Sequence, residues 1–272
     1  MNAVSWNGVG NLVNGSTSVD EAIGDKLNHG CVVGPVANRI AGASFEIDGT
    51  TYRFAPNEGV DTLLHSGTKS LRDRDWSVAS RSDSDVTLFA EVANGEDGFP
   101  GSRRFGARYT VDDSGFGLTL TAETDAPTLV NLALHPYWTL DQSGRNGLRL
   151  EIAADEYLPV DGNLIPTGEI APVEGTVFDL RSLSVPDTSI DYNYCLRTAD
   201  GLIAAATLVS DKVTLDIETD APGLQVFTGQ KFGIALEPQH WPDAPNHAHF
   251  PSVRLDPGER YTQKSRYRFR EA

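Results

Sequence analysis

Residues 104–123 read Arg104-Phe-Gly-Ala-Arg-Tyr-Thr-Val111, Asp112-Asp-Ser-Gly115, Phe116, Gly117-Leu-Thr-Leu-Thr-Ala-Glu123. Phe105, Ala107, Tyr109 and Val111 alternate with Gly106, Arg108 and Thr110, and Leu118, Leu120 and Ala122 alternate with Thr119, Thr121 and Glu123. A period of two places each set on its own face of a strand. The intervening Asp-Asp-Ser-Gly is turn chemistry, so the two runs fold back on each other as antiparallel strands. Outward from this hairpin, similar runs recur at 44–47, 51–54, 86–92, 148–152, 204–208, 212–218, 224–228 and 261–269. Asp48-Gly49, Asp161-Gly162-Asn163 and Asp220-Ala-Pro-Gly223 punctuate them. No window of helix length keeps an apolar stripe between good caps, so at most one short helix is expected. The chain is read as a predominantly antiparallel all-β protein. Pro and Gly are spread along it rather than pooled in a linker, and a single domain over residues 1–272 is expected. The alternating Ser265-Arg-Tyr-Arg-Phe-Arg270 supplies its last strand.

The net charge of -16 repels phosphate backbones and anionic headgroups, so nucleic acid and membrane surfaces are not expected partners. The first 22 residues carry neither a cation nor an apolar run able to serve as a signal-peptide core. The two cysteines, Cys31 and Cys195, form neither a CxxC pair nor a disulfide-dense pattern, and a reducing cytoplasm is expected.

Three segments carry candidate chemistry. Asn131-Leu-Ala-Leu-His135-Pro-Tyr-Trp138 is an apolar strand ending in a histidine, whose imidazole can give and take a proton near neutrality. A structural histidine at a sheet edge reads the same way. Gly233-Ile-Ala-Leu-Glu237-Pro-Gln239 delivers a carboxylate at an apolar strand's end, before a loop rich in prolines and polar groups. Partial burial raises such a carboxyl toward the working range of a general base, although a surface Glu beside a proline turn fits equally. Pro35-Val-Ala-Asn38-Arg39-Ile, with Asn57-Glu-Gly and Leu64-His65-Ser66-Gly67, supplies a guanidinium fork and amides suited to adjacent hydroxyls. Asp191-Tyr-Asn-Tyr and Glu96-Asp97-Gly-Phe-Pro-Gly101 add carboxylates, the second reading equally as a plain turn. His240, His247 and His249 near Asp243 lack the spacing of a ligand set, so no metal is expected. The dinucleotide, P-loop and nucleophile-elbow signatures do not occur, and no cofactor is expected.

Several of these blocks, in order, resemble the aldose 1-epimerase (galactose mutarotase) family. They are Asn38-Arg39-Ile, Asn57, Leu64-His65-Ser-Gly67, Gly98-Phe-Pro-Gly101, Asn131-Leu-Ala-Leu-His135-Pro-Tyr-Trp, Asp191-Tyr-Asn-Tyr, and Leu236-Glu237-Pro-Gln239 with Pro242-Asp243-Ala-Pro-Asn246. The resemblance implies a large antiparallel β-sandwich, the galactose mutarotase-like supersandwich, with sugar in an open cleft. It implies His135 as general acid on the ring oxygen and Glu237 as general base on the anomeric hydroxyl. His65 stands as a second histidine near the ring, and Asn38, Arg39, Asp191 and Gln239 as sugar-binding groups. Gln239 and Asn246 also support the loop after Glu237. Two departures, His135-Pro-Tyr-Trp and Leu-His-Ser-Gly, are expected to touch the pocket, and the segment before Val33 matches the family poorly.

The implied reaction is cofactor-free opening and closing of an aldopyranose at C1, with His135 and Glu237 expected on opposite sides of one ring. The expected partner is a monosaccharide, and the expected assembly a monomer or weak homodimer. The alternatives are a glycoside hydrolase or lyase using Glu237 with Asp191, and a non-catalytic sugar-binding protein. A 6-phosphate substrate would call on Arg72, Arg74, Arg103 and Arg104, which are read as lying on a solvated face.

Overall fold

The computed structural model describes residues 1–25, 27–141 and 144–272. The hairpin forms as the alternation requires, with Arg103–Asp112 paired antiparallel to Gly115–Thr124. Gly115 closes its turn at φ 148°, where a Cβ would come 2.0 Å from the Tyr267 carbonyl oxygen. Only glycine fits there.

These two strands lie inside an eight-stranded antiparallel sheet. Its order is Arg149–Ile152, Ile203–Val209, Val213–Thr219, Tyr261–Glu271, Gly115–Thr124, Arg103–Asp112, Asp85–Val92 and Ser77–Arg81. A second sheet has seven strands, in the order Val13–Asn14, Tyr137–Trp138, Ile234–Gln239, Gly223–Phe227, Asp191–Cys195, Glu156–Tyr157 and Ala171–Pro172. Its pairings are also antiparallel. The one α-helix described, Val19–Gly24, is capped by the Ser18 hydroxyl, which accepts from the Glu21 N–H.

The sheets bury their facing sides in one core. Trp138, Leu224, Val226, Ile234 and Leu236 from the seven-stranded sheet join Leu118, Leu120, Leu215, Ile217 and Tyr267 from the other. The outer face of the eight-stranded sheet is solvated and carries cross-strand ion pairs such as Arg266 with Asp112 and Arg270 with Asp216. The outer face of the seven-stranded sheet is covered instead. Every residue of Ile234–Gln239 is therefore buried, on both faces of the strand. The cover is a second cluster in which Ile40, Phe45, Leu63, Phe99, Phe250 and Val253 pack together. The functional groups described below lie between this cover and the sheet.

Three expectations change. The segment through His135 is not one strand but the pieces Ala133–Leu134 and Tyr137–Trp138, the first paired with Val32–Val33 and the second with Ile234–Gln239. Pro136 stands at the switch, where its missing N–H forfeits no ladder bond. Glu237 is not at a strand end, because its strand continues to Gln239. Arg103 is not solvated: its guanidinium is buried against the Asp97 carboxylate through Nη1–Oδ2 at 3.1 Å and Nη2–Oδ1 at 2.7 Å. Glu96-Asp97-Gly-Phe-Pro-Gly101 is thus more than a turn, for it buries both the Asp97 charge and Phe99.

Removing one partner of a buried ion pair leaves an uncompensated charge at a cost of roughly 3–5 kcal/mol. Asp97→Ala is expected to lower the unfolding free energy by about that amount in urea titrations, and Asp97→Leu with Arg103→Met to recover most of it. A double variant no more stable than Asp97→Ala would contradict this account.

Candidate active site

Cross-strand register assembles the site. In Ile234–Gln239 the side chains of Ile234 and Leu236 enter the core, so Glu237 faces the covered side. Glu237 lies opposite Gln225, and Gln225 opposite Asn193. Tyr137 lies opposite Ala235, and continuing that register by two residues sets His135 opposite Glu237. Four polar residues thus form one row across four neighbouring segments of an otherwise apolar sheet.

His135 is fixed by its backbone, its N–H donating to the Cys31 carbonyl at 2.9 Å and its own carbonyl accepting from Gly30 at 2.8 Å. Its Nε2 lies 3.4 Å from Glu237 Oε1, and both side chains are almost wholly buried. Burial pushes the His135 imidazole down from 6.5 to about 4. Burial pushes the Glu237 carboxyl well above its ordinary range, the Asp191 charge adding to this and Arg39 opposing it. Both shifts favour the uncharged forms, a neutral imidazole beside a protonated carboxyl. His135 Nδ1 and Glu237 Oε2 are buried with no hydrogen-bond partner among the described residues, a costly arrangement outside a functional site.

His65 stands edge-on to His135, with ring centroids 5.4 Å apart. Its Nδ1 accepts from the Asn38 backbone N–H at 3.1 Å, while its own backbone N–H donates to the Asn38 carbonyl at 2.9 Å. An accepting Nδ1 places the ring proton on Nε2, so His65 offers a donor. Burial, with His135 and Arg39 nearby, holds it well below the ordinary histidine range. Asn38, His65 and Ser66 all adopt left-handed backbone, at φ 62°, 49° and 65°. Such conformations persist where surrounding bonds over-determine them. The Ser66 hydroxyl supplies two such bonds, accepting from the Val36 N–H and donating to the Val36 carbonyl.

Arg39 is held in a bidentate fork by Glu58, Nε to Oε2 at 2.5 Å and Nη2 to Oε1 at 2.9 Å. Asp191 Oδ2 lies 3.4 Å from both Nη atoms, and Asp191 Oδ1 accepts from Gln225 Nε2 at 2.6 Å. Gln225, Asp191, Arg39 and Glu58 therefore form one hydrogen-bonded chain beside the His135–Glu237 pair. Asn38, Arg39, Glu58, His65, His135, Tyr137, Asp191, Gln225, Phe227 and Glu237 line a cavity of about 180 Å³. That is below the roughly 300–1,000 Å³ of pockets for drug-sized ligands and suits a small polar molecule. Past His65 it adjoins a hollow of about 440 Å³ lined by Asn28, Gly67, Thr68, Arg72 and Asp73.

The structure thus brings together His135, Glu237, His65, Asn38, Arg39 and Asp191. Gln239 lies on the same face as Glu237 but opposite Gly223 and is not among the described residues lining the cavity; its amide is fully buried with neither end hydrogen-bonded among the described residues. The expected opposite placement of His135 and Glu237 is corrected, since the two are in contact. The roles that the family resemblance implies accommodate this contact, because a ring oxygen and an anomeric hydroxyl are bonded to the same carbon. Of the two departures from the family pattern, His135-Pro-Tyr-Trp reaches the cavity through Tyr137, as expected, whereas Pro136, Trp138 and Ser66 are not among the described residues lining it and serve packing and backbone. Asn57 is structural, clamping Leu64 through both ends of its amide. Asn246 donates to Asp243 Oδ1 at 2.6 Å and so braces the loop after Glu237. Glu58, Gln225 and Phe227 were not singled out from the sequence. Only Glu58 carried a signal there, adjacent to Asn57.

Comparison with known proteins agrees with this geometry. A family model described as "Aldose 1-epimerase" matches residues 3–268. Galactose mutarotase from Sus scrofa is 35% identical over 270 residues, covering 88% of this chain and 78% of the relative. Aldose 1-epimerase from Escherichia coli K12 is 33% identical over 275 residues, covering 88% and 79%. Among solved structures, an aldose epimerase homologue from C. elegans superposes with a TM-score of 0.91 at 31% identity, covering 96% of this chain and 88% of that one.

A histidine depressed to about 4 binds fewer protons in the folded than in the unfolded protein between there and 6.5, so its contribution destabilises the fold as pH falls through that window. In an NMR titration the His135 ring signals are expected to hold still from pH 8 down to about 5.5 and to move only near pH 4. A midpoint between 6 and 7, as in a free imidazole, would contradict the buried neutral pair.

Proposed function

The chain belongs to the aldose 1-epimerase family and is an aldose 1-epimerase, and we propose that His135 and Glu237 perform its proton transfers. The carrying observation is the contact of Nε2 and Oε1 at 3.4 Å inside a buried cavity. Glu237 as carboxylate takes the proton of the C1 hydroxyl while the His135 imidazolium gives one to the ring oxygen. The bond between C1 and the ring oxygen breaks and the C1 carbonyl forms. Rotation about C1–C2 presents the other face, and closing returns both protons. The pair holds one exchangeable proton throughout, as imidazolium with carboxylate before opening and as imidazole with carboxylic acid after it. Burial favours the second arrangement, so ring opening requires that the proton first pass from Glu237 to His135 across the 3.4 Å contact once the sugar is bound.

His65 Nε2–H, Arg39, Asn38, Asp191 and Gln225 hold the remaining hydroxyls in this reading, and the aromatic rings of Tyr137 and Phe227 offer apolar surface to the C–H bonds of the sugar. A glycoside hydrolase would need a second available carboxyl beside Glu237, whereas Asp191 is engaged by Gln225 and Arg39. The proposed substrate is a free aldose, and the proposed assembly a monomer or weak homodimer. The free thiols of Cys31 and Cys195 suit a cytoplasmic location.

Polarimetry on freshly dissolved α-galactose and α-glucose tests the roles. His135→Asn and Glu237→Gln are each expected to reduce kcat by roughly 10²- to 10⁴-fold while calorimetry still detects sugar binding. Because the two act as a unit, the double variant is expected to lose little more than either single one. Retention of wild-type kcat by either single variant would remove that residue from the mechanism.

A further inference from the structure

The geometry points to Glu58 as a specificity-determining residue: its carboxylate orients Arg39 and, at the mouth of the cavity, excludes sugars that carry an anionic group such as a uronate or a phosphate. This rests on the mutarotase reading of the same site.

Glu58 is a held group. Its backbone N–H donates to the Thr62 carbonyl at 3.2 Å, and its carbonyl accepts from the Thr62 N–H at 3.2 Å. Asn57 ties the same turn to Leu64 at both ends of its amide, and Leu64 pairs with Arg39 across neighbouring strands. The turn therefore delivers the carboxylate to the Nε and Nη2 edge of Arg39, and that bidentate fork fixes the guanidinium plane. The Nη1 edge is left toward Asp191 and the cavity.

Charge at the mouth follows from this arrangement. Arg39 alone would attract an anion, but it faces two carboxylates, Glu58 and Asp191, so the cluster carries one net negative charge. The Glu58 side chain is 34% exposed against 18% for Asp191, and Glu58 is the carboxylate an incoming ligand meets. The arginines that would be needed to receive a phosphate are engaged elsewhere: Arg74 with Glu96, Arg103 with Asp97 and Arg104 with Glu91. Arg72 beside the adjoining hollow donates to Asn28 and lies against Asp73. A neutral aldose loses nothing to this field, whereas a like charge brought to it is repelled.

The test compares kcat/KM for galactose and glucose with that for galacturonate and galactose 6-phosphate, in wild type and Glu58→Gln, after subtraction of spontaneous rates. Measurements at about 0.01 M and about 0.3 M ionic strength separate charge from shape. Wild type is expected to prefer the neutral sugars, with the preference narrowing as salt rises. Glu58→Gln is expected to shrink the low-salt preference by roughly tenfold and to flatten its salt dependence, while KM for neutral sugars rises as Arg39 loosens. An unchanged preference in the variant, or a wild type that accepts both classes equally, overturns the proposal and leaves the mutarotase reading intact. A wild type that accelerates no aldose overturns that reading itself. Should Glu58→Gln fail to fold, a wild-type preference independent of ionic strength is by itself sufficient to reject electrostatic exclusion.

Discussion

The pairing of Tyr137–Trp138 with Ile234–Gln239 is the constraint on which the rest depends. Side chains alternate along a strand, so a slip of one residue would turn Glu237 into the core and push Leu236 into the cavity. Trp138 resists such a slip: it is fully buried, packs against Phe116, Tyr267 and Phe269 of the other sheet, and belongs to the same two-residue strand as Tyr137. The core thereby sets the register, and the register sets His135 against Glu237. A chemical contact on one face of the sheet is specified by apolar packing on the other.

The same arrangement governs the protonation of the pair. On a solvated sheet face the glutamate would be ionised and the histidine only partly protonated near neutral pH, giving at most a weak surface ion pair. The second apolar layer, built on Phe45, Leu63, Phe99 and Phe250, withdraws water and drives both toward the uncharged state. The left-handed residues Asn38, His65 and Ser66 belong to this layer and are held by a reciprocal net of bonds. Cover and sheet therefore meet at one seam, the cover contributing a low-dielectric environment and the sheet Glu237, against which the segment before Tyr137 sets His135.

Much of the fold was legible because it rests on a local period. The strands Arg103–Asp112, Gly115–Thr124 and Tyr261–Glu271 each have one wet and one dry face, and alternation reveals them. Ser77–Arg81 is exposed throughout and Ile234–Gln239 buried throughout, so neither displays that contrast, and the extent of the second was misjudged. Of the site, His135, Glu237, His65, Asn38, Arg39 and Asp191 were reached through residue chemistry and family resemblance. Gln225 escaped notice because its neighbours Leu224 and Val226 mark only a strand, and its role arises from a partner 34 residues away. Gln239 shares the face of Glu237, and a shared face is readable from spacing, but where along that face the cavity stops is decided by the covering layer.

The departures from the family pattern divide between framework and site. Trp138 sits on the core side of its strand and the Ser66 hydroxyl is spent on the Val36 backbone, whereas Tyr137 of the same block as Trp138 lines the cavity. Residues that line the cavity come from separate pieces: Arg39 and His65 from the cover, Asp191, Gln225 and Glu237 from adjacent strands, and Glu58 from a turn. Because the strands are fixed by the sandwich core, changes of specificity are most easily made in the cover, where the turn carrying Glu58 can vary without altering the register of the pair. Asp191 and Gln225 share the sheet with Glu237 and are bound to its register, whereas the turn carrying Glu58 lies outside the sheet and is free of that constraint.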